Sequence, residues 1–393
     1  EHFTRFLSGH DRLHLVAHSH HPWPDVSFEA HQQAWRDAAR LMDDKWDEVF
    51  DVVVPEAQRH IAGRLGLSDP ETVAFAPNTH ELVVRVLSCL RPPIRILTTD
   101  AEFHSFSRQS RRLEEEGSAV VERVPAQPFE SLPERLVAAV SAGGHDLVYL
   151  SHVHFDSAYV VPDLVGVVEA VPDEDTFVVI DGYHSFMAVP TDLSGIEDRA
   201  FFVGGGYKYA MAGEGCGFAH CPPGYGMRPV NTGWFAAFGE LSGPPATAFG
   251  PRRPVPGGVE YAKGGARFSG GTFDPTGLYR FNAVQRWLDG LGLGVTDIHA
   301  HVGGLQAAVL DRVGDEGGML AGAELLPPRG VDDRGHFLVF RLPQAVDVHR
   351  RLREAGVMTD YRGDRLRVGF GIYHDDVDVD ELFRRLRELA TGP

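Results

Sequence analysis

Between Phe28 and Leu65 apolar residues recur at helical spacing, which predicts two helices parted near Val54-Pro55, the second stopped by Gly66. Beyond Gly66 the period changes. Short runs rich in β-branched and aromatic residues predict strands at Thr72–Ala76, Ile94–Thr98, Ala119–Val124, Leu147–Ser151, Phe177–Ile180, Ala200–Val203 and Gly217–His220. Several are continuously apolar rather than alternating, the pattern of strands covered on both faces. With helix-length or turn-length segments between them, they predict a mostly parallel, seven-stranded sheet in an α/β layer architecture.

Glycine and proline then crowd Pro222 to Gly277, including Pro254-Val255-Pro256-Gly257-Gly258, which predicts a long ordered loop region. After it, Leu278–Gly290 and Val295–Val313 read as helices, His336–Leu342 as a strand and Val346–Ala355 as a helix ended by Gly356. Leu366–Phe370 reads as a strand and Val379–Leu389 as a closing helix. The second half is therefore expected to form a small α+β domain. The expected division is an N-terminal segment 1–45 that joins the small domain, a large domain 46–275 and a small C-terminal domain 276–393.

Composition narrows the partners. Among 393 residues, 37 Lys and Arg face 55 Asp and Glu, and the net charge of −18 argues against nucleic acid or an anionic membrane surface. A small molecule is the expected ligand. Cys89, Cys216 and Cys221 are too few for a disulfide framework and form no CxxC pair, which fits a reducing cytoplasm. The N-terminus lacks the plan of a signal peptide, and the longest apolar runs are far short of a membrane span. The 20 histidines, with His18-Ser19-His20-His21 clustered, raise metal binding as an alternative.

The chemistry concentrates at the ends of the predicted strands. Phe177-Val178-Val179-Ile180 delivers Asp181 at a C-terminal strand end, where ligands sit in open α/β sheets. Phe201-Phe202-Val203 runs into Gly204-Gly205-Gly206 and presents Lys208 between Tyr207 and Tyr209. Taken alone, Asp181 reads as a turn cap and Lys208 as a surface charge. As a pair they are what pyridoxal phosphate needs: a lysine to form an imine, and a carboxylate to keep the pyridine nitrogen protonated so that the ring withdraws electrons. Upstream, Pro77-Asn78-Thr79 leads from a strand into an apolar helix, and the free N–H groups of that helix start could hold a phosphate beside Asn78 and Thr79.

In this ordered set the sequence resembles the class V aminotransferase family of fold-type-I pyridoxal-phosphate enzymes, with a kynureninase-like branch as the nearest pattern. The resemblance implies a large domain with a mostly parallel seven-stranded sheet, a small C-terminal domain, pyridoxal 5'-phosphate as cofactor and a homodimer. It places the pyridinium partner at Asp181, the following histidine at His184, a phosphate-contacting tyrosine at Tyr207, the Schiff-base lysine at Lys208 and the phosphate-holding turn at Asn78-Thr79. It puts an aromatic ring over the cofactor at Phe103, with His104 as the other choice, and a polar contact to the phenolic oxygen at Asp156, where a carboxylate departs from the pattern. Arg267-Phe268-Ser269-Gly270-Gly271-Thr272 matches a stretch whose threonine, here Thr272, reaches the phosphate of the other subunit. Arg367, in Arg365-Leu366-Arg367-Val368-Gly369, falls on the arginine that binds the substrate carboxylate, with Arg365 as the other choice; Gly369 and His374 depart from the pattern. Trp234, His18 and His20 are expected around the substrate side chain.

The expected activity is cleavage in the side chain of an α-amino acid, kynureninase-like or a carbon–sulfur lyase on a cysteine conjugate of secondary metabolism. An aminotransferase or a decarboxylation-linked oxidative deaminase of the same fold is the alternative, because these reactions begin alike. Cysteine desulfurase chemistry is disfavoured, since no cysteine follows Cys221. A metal-dependent hydrolase using His18, His20, His152 and His154 is the reading from a different class, although no HExxH motif accompanies them.

Overall fold

The structure, a computed structural model, describes residues 2–9, 11–237, 258–328 and 334–391. Pro254-Val255-Pro256-Gly257 lies outside the described residues. Near the N-terminus, β1 (Leu13–His14) precedes the helix Val26–Leu41. The helical stretch breaks at Met42, whose φ is +53°, and not at Val54-Pro55. The helical stretch runs without a break from Lys45 to Leu65, and Pro55 follows directly on a wide π-turn over Val49–Val53, where the regular α-helical bonding is already interrupted. Gly66 ends that helix in the left-handed region, as its position predicts.

The seven anticipated strands all form: β2 (Val73–Ala76), β3 (Ile94–Thr99), β4 (Ala119–Val124), β5 (Leu147–Ser151), β6 (Phe177–Asp181), β7 (Ala200–Gly205) and β8 (Gly217–His220). They build one sheet in the order β2-β8-β7-β6-β5-β3-β4. Strands β3 to β7 pair in parallel, and β8 alone runs antiparallel to both of its neighbours. The continuous apolar runs have the anticipated cause. Along each strand alternate residues enter different cores: Val148, Leu150, Val178, Ile180 and Phe202 on one face, Leu147, Tyr149, Val179, Phe201 and Val203 on the other.

A second sheet follows, antiparallel throughout, in the order β12-β13-β10-β9. Its members are β9 (Glu324–Leu326), β10 (Phe337–Arg341), β12 (Asp360–Arg362) and β13 (Arg365–Gly369); β11 (Val357–Met358) pairs in parallel with β1, so the N-terminal segment is stitched to the C-terminal part. Their core includes Leu13, Leu15, Val302, Phe340, Val368 and Phe383. The helix Thr276–Gly290 buries Leu278, Phe281, Val284 and Leu288 in the core beneath the large sheet, whereas the helix Val295–Glu316 reaches the second core through Val302, Leu305 and Val309. No helix of the described residues is long and apolar enough to cross a membrane.

The seam between the N-terminal segment and the second sheet is rich in buried histidine. His374 Nε2 lies 2.6 Å from the carbonyl oxygen of His14, His14 Nδ1 lies 2.6 Å from the Tyr373 hydroxyl, and His301 Nε2 lies 2.9 Å from the carbonyl of His374. Burial pushes His14 down to about 4, and His18, His21 and His374 down to about 3. All four are thus neutral in the fold, while an unfolded histidine charges near 6.5. The stability this contributes is present above pH 6.5 and is lost as the pH falls toward those lowered values. The thermal midpoint should therefore already drop between about pH 6.5 and 5, above the range in which paired carboxylates protonate; a midpoint constant across that window would contradict this account.

Candidate active site

Strands β5, β6 and β7 are in register, with Ser151 beside Asp181 and Asp181 beside Val203, so their C-terminal ends reach one edge of the sheet together. Over that edge lies a cavity of about 420 Å³. Asn78, Thr79, Phe103, Tyr149, Asp181, Tyr183, His184, Tyr207 and Lys208 line it from the large sheet, and His18, Arg362 and Arg367 close it from the N-terminal segment and the second sheet.

Lys208 is 7% exposed and forms no ion pair with the described carboxylates; its Nζ is paired with Nε2 of buried His184. Burial, aided by the charge of Arg367, drives the lysine well below its ordinary value. Burial and the charge of Lys208 likewise drive His184 far down, so the contact joins two groups that resist carrying a proton. The amine also lies 5.5 Å from the ring centre of Phe103 and 5.3 Å from that of Tyr183.

Asp181 ends β6 with its carboxylate held on two sides. It accepts a hydrogen bond from the Tyr149 hydroxyl at 2.8 Å and one from the Tyr183 backbone N–H at 2.9 Å. Burial raises its affinity for a proton, against which both donors act. Tyr149 is fixed by Phe106, whose ring stacks on it at 3.5 Å and 8°. Tyr149 did not stand out in the sequence, because an aromatic residue inside an apolar strand reads as core. Glu102 was missed for a similar reason: it precedes Phe103 and is buried, accepting from Thr99 Oγ1 and Ser151 Oγ, each at 2.6 Å. Burial pushes it up to about 7, and the neighbouring charge of Asp181 adds to this.

At the start of the helix Thr79–Leu87, Asn78 Oδ1 accepts from the Glu81 N–H at 3.1 Å, which fixes the turn and leaves other first-turn N–H groups facing the cavity end of the helix. Gly217 of β8 packs beneath this turn; a Cβ there would meet the Asn78 backbone at 2.5 Å. Gly217 therefore serves the close approach of two backbones beneath the turn. Phe103 lines the cavity, while His104 packs its ring on Phe155 at 4.9 Å.

Other expected site residues lie elsewhere. Asp156 does not line the cavity; it is ion-paired with Arg365, which β13 projects on the same face as Arg367, and this occupies the arginine left open as an alternative carboxylate ligand. Trp234 and Thr272 also lie outside the cavity of their own chain, where Trp234 Nε1 donates to Thr272 Oγ1 at 3.2 Å. His20 packs edge-on against Tyr207 at 5.6 Å without lining the cavity. His152 and His154 follow β5, with His154 buried beside Tyr159. Among the described residues no three His, Cys, Asp or Glu side chains are grouped as metal ligands.

A parallel sheet that delivers a buried lysine and a carboxylate to one cavity, with a helix N-terminus at its rim, is the arrangement of the fold-type-I pyridoxal-phosphate enzymes. Comparison with known proteins agrees. Residues 302–386 match the family described as Kynureninase C-terminal domain. The chain is 27% identical over 354 residues to an isopenicillin N epimerase of Amycolatopsis lactamdurans, covering 85% of this chain and 84% of that protein. It is 30% identical over 249 residues to a kynureninase of Burkholderia mallei (strain SAVP1), covering 61% of this chain and about half, 55%, of the kynureninase. In fold it is similar to a cysteine desulfurase from Thermococcus onnurineus NA1, with TM-score 0.78, 17% identity and 98% and 96% of the two chains covered. It is similar also to the cystine C–S lyase C-DES in complex with cysteine persulfide, with TM-score 0.79, 15% identity and 98% of each chain covered. These findings fit the class V aminotransferase fold, with pyridoxal phosphate as its cofactor.

The buried carboxyl of Glu102 gives a test with a definite sign. Its folded value lies above its unfolded one, so its favourable contribution is complete below about pH 4.5 and is lost as the pH rises through about 7. Glu102→Gln removes this dependence. The stability of the variant relative to wild type should rise by about 3 kcal/mol between pH 5 and pH 8, read from urea unfolding; a difference independent of pH would contradict the assignment.

Proposed function

We propose that this enzyme acts on an α-amino acid and breaks a bond in its side chain. The observation that carries the reading is the Lys208 amine, buried beside His184 in the cavity that Asp181 also lines. The residues fit the cofactor: a buried amine without an acid partner among the described residues, a carboxylate held by two donors, and a helix N-terminus over a backbone so close that only glycine fits. Bound there, pyridoxal phosphate supplies an electron sink for charge at the substrate's Cα.

The chain's own groups then have distinct tasks. Lys208 would be the attachment point and would hold or return a proton at its Nζ, with His184 Nε2 as its exchange partner. Asp181 would keep the cofactor's ring nitrogen protonated, and the Tyr149 hydroxyl and Tyr183 N–H hold its two oxygens so that its charge is aimed before any ligand arrives. Asn78, Thr79 and Tyr207 would hold the phosphate, and Phe103 would pack against the ring. Arg367 binds the substrate carboxylate, with His18 beside it. Trp234 and Thr272, outside their own cavity, serve the site of a second copy in a homodimer, a role that sedimentation of an active monomer would contradict. The division into 1–45, 46–275 and 276–393 belongs to the same proposal, with the helix Thr276–Gly290 packed beneath the large sheet.

Side-chain cleavage is supported by the kynureninase match in the C-terminal part, which supplies Arg367. Epimerisation at Cα is the second reading, favoured by the long alignment with an isopenicillin N epimerase. Incubation with amino acids and cysteine conjugates in deuterated water separates the two. Cleavage yields a fragment such as pyruvate or a released thiol, whereas epimerisation yields the mirror-image centre carrying deuterium and no fragment. In either case Asp181→Asn should still bind the cofactor and lose turnover on the order of a hundredfold, the scale of a preorganised charge; full activity would reject its role.

A further inference from the structure

The anticipated use of Arg367 is a bidentate grip on the substrate carboxylate, and its surroundings modify that picture. Arg367 is 2% exposed, and its fork is already divided: Nη1 donates to the Phe155 carbonyl at 2.6 Å, and Nη2 is ion-paired with Asp360. Its Nε is buried and has no hydrogen-bond partner among the described residues. Asp360 belongs to β12, a three-residue strand that the sequence pattern did not reveal. Its other oxygen accepts from Arg362 Nη1 at 2.5 Å, and Arg362 also lines the cavity.

A third basic group reaches the same carboxylate. His18 Nε2 lies 3.7 Å from Asp360, and its ring stacks on Phe337 at 4.7 Å and 22°, the ring over which Arg367 also lies. His18 occupies the space directly above Gly369, where a Cβ would collide with its ring. The glycine at 369, a departure from the family pattern, and the histidine at 18, drawn from the opposite end of the chain, are therefore two halves of one packing arrangement. Two guanidinium groups share one carboxylate, which leaves one positive charge to be matched from the cavity. Burial opposes ionisation of Asp360, yet His18 and the charge of Arg367 hold it well below the usual carboxylate range.

We propose that Asp360 is the positioning residue of the carboxylate site: it splits the Arg367 fork and ties it to Arg362, so that one further carboxylate, that of the amino-acid substrate, completes the cluster from the cavity that both arginines line. This rests on the function proposed above, and it assigns a task to Asp360, Arg362 and Gly369 that the motif alone did not. The bound form is selected by charge count as well as by shape. A substrate whose carboxylate is replaced by an amide leaves the cluster one charge short.

The test uses the cofactor-loaded protein and two probes, L-alanine and L-alaninamide, titrated against its visible absorption. Wild type should favour L-alanine over the amide by about tenfold or more, the scale of a charged hydrogen bond. Asp360→Ala frees the Arg367 fork, and the loss of its aim outweighs the positive charge left unmatched, so the two should come within about twofold by weakening of L-alanine alone, with the absorption of the loaded protein unchanged, and Asp360→Asn should fall between. Gly369→Ala, which reaches Asp360 only by displacing His18, should shift the preference in the same direction and gives a second route if Asp360→Ala does not fold. Tighter binding of L-alanine to Asp360→Ala would show that Asp360 occupies the substrate's seat, and an unchanged preference with a lower thermal midpoint would leave it a purely structural part; either overturns the proposal. Failure of wild type to develop any visible absorption with pyridoxal phosphate is a separate result, which would overturn the proposed function itself.

Discussion

A lysine amine taken out of water with no carboxylate in ion-pair contact among the described residues is the constraint from which the site follows. Burial favours the neutral amine, and the nearby guanidinium of Arg367 adds to this against the opposing charge of Asp181. The cost of that burial is tolerable only because the amine meets His184, which is itself kept neutral by the same surroundings. Asp181 shares the cavity yet spends its oxygens on Tyr149 and the Tyr183 backbone, which keeps it available to a cationic ring rather than to the lysine.

The sheet makes this arrangement rigid. Its strands are buried on both faces by alternating residues, so neither a register slip nor a rotation moves Asp181 or Lys208 without exposing a row of core side chains. The second sheet supplies what the first cannot. From β12 and β13 come Arg362 and Arg367, and the parallel pair β1–β11 brings His18 to the same wall from the other end of the chain. The cavity thus has a floor made by one sheet and a charged wall made by the other. A substrate held at that wall would present its Cα bonds to the floor in a fixed orientation.

What was legible in the sequence depended on whether a residue announced itself by pattern. The seven strands of the large sheet were readable because double-sided burial demands unbroken apolar runs, and Asp181 and Lys208 stand out as the polar residues that end two of them. β12 was not readable, since Asp360-Tyr361-Arg362 is short and polar and is held by pairing with β13 rather than by burial. Tyr149 and Glu102 were hidden by neighbours that looked like core, although burial of a charged residue directly after a strand is a signal in hindsight. The expected contact of Asp156 with a phenolic oxygen gave way to Arg365, because β13 carries two arginines on one face and each needs an acceptor. The helix break expected near Val54-Pro55 lies at Met42 instead, and the π-turn over Val49–Val53 accommodates the proline without ending the helix.

The central claim is that one amine in this chain is made reactive by its place at the sheet edge, and the sequence makes that simple to test. There are three lysines, Lys45, Lys208 and Lys263. Lys263 is exposed and Lys45 half-buried, and neither lines the cavity. Borohydride reduction of the protein with stoichiometric pyridoxal phosphate, followed by mass mapping of its peptides, should place a single pyridoxyl group on the peptide containing Lys208 and leave the other two unmodified. Labelling spread over all three, or confined to Lys45 or Lys263, would contradict the account.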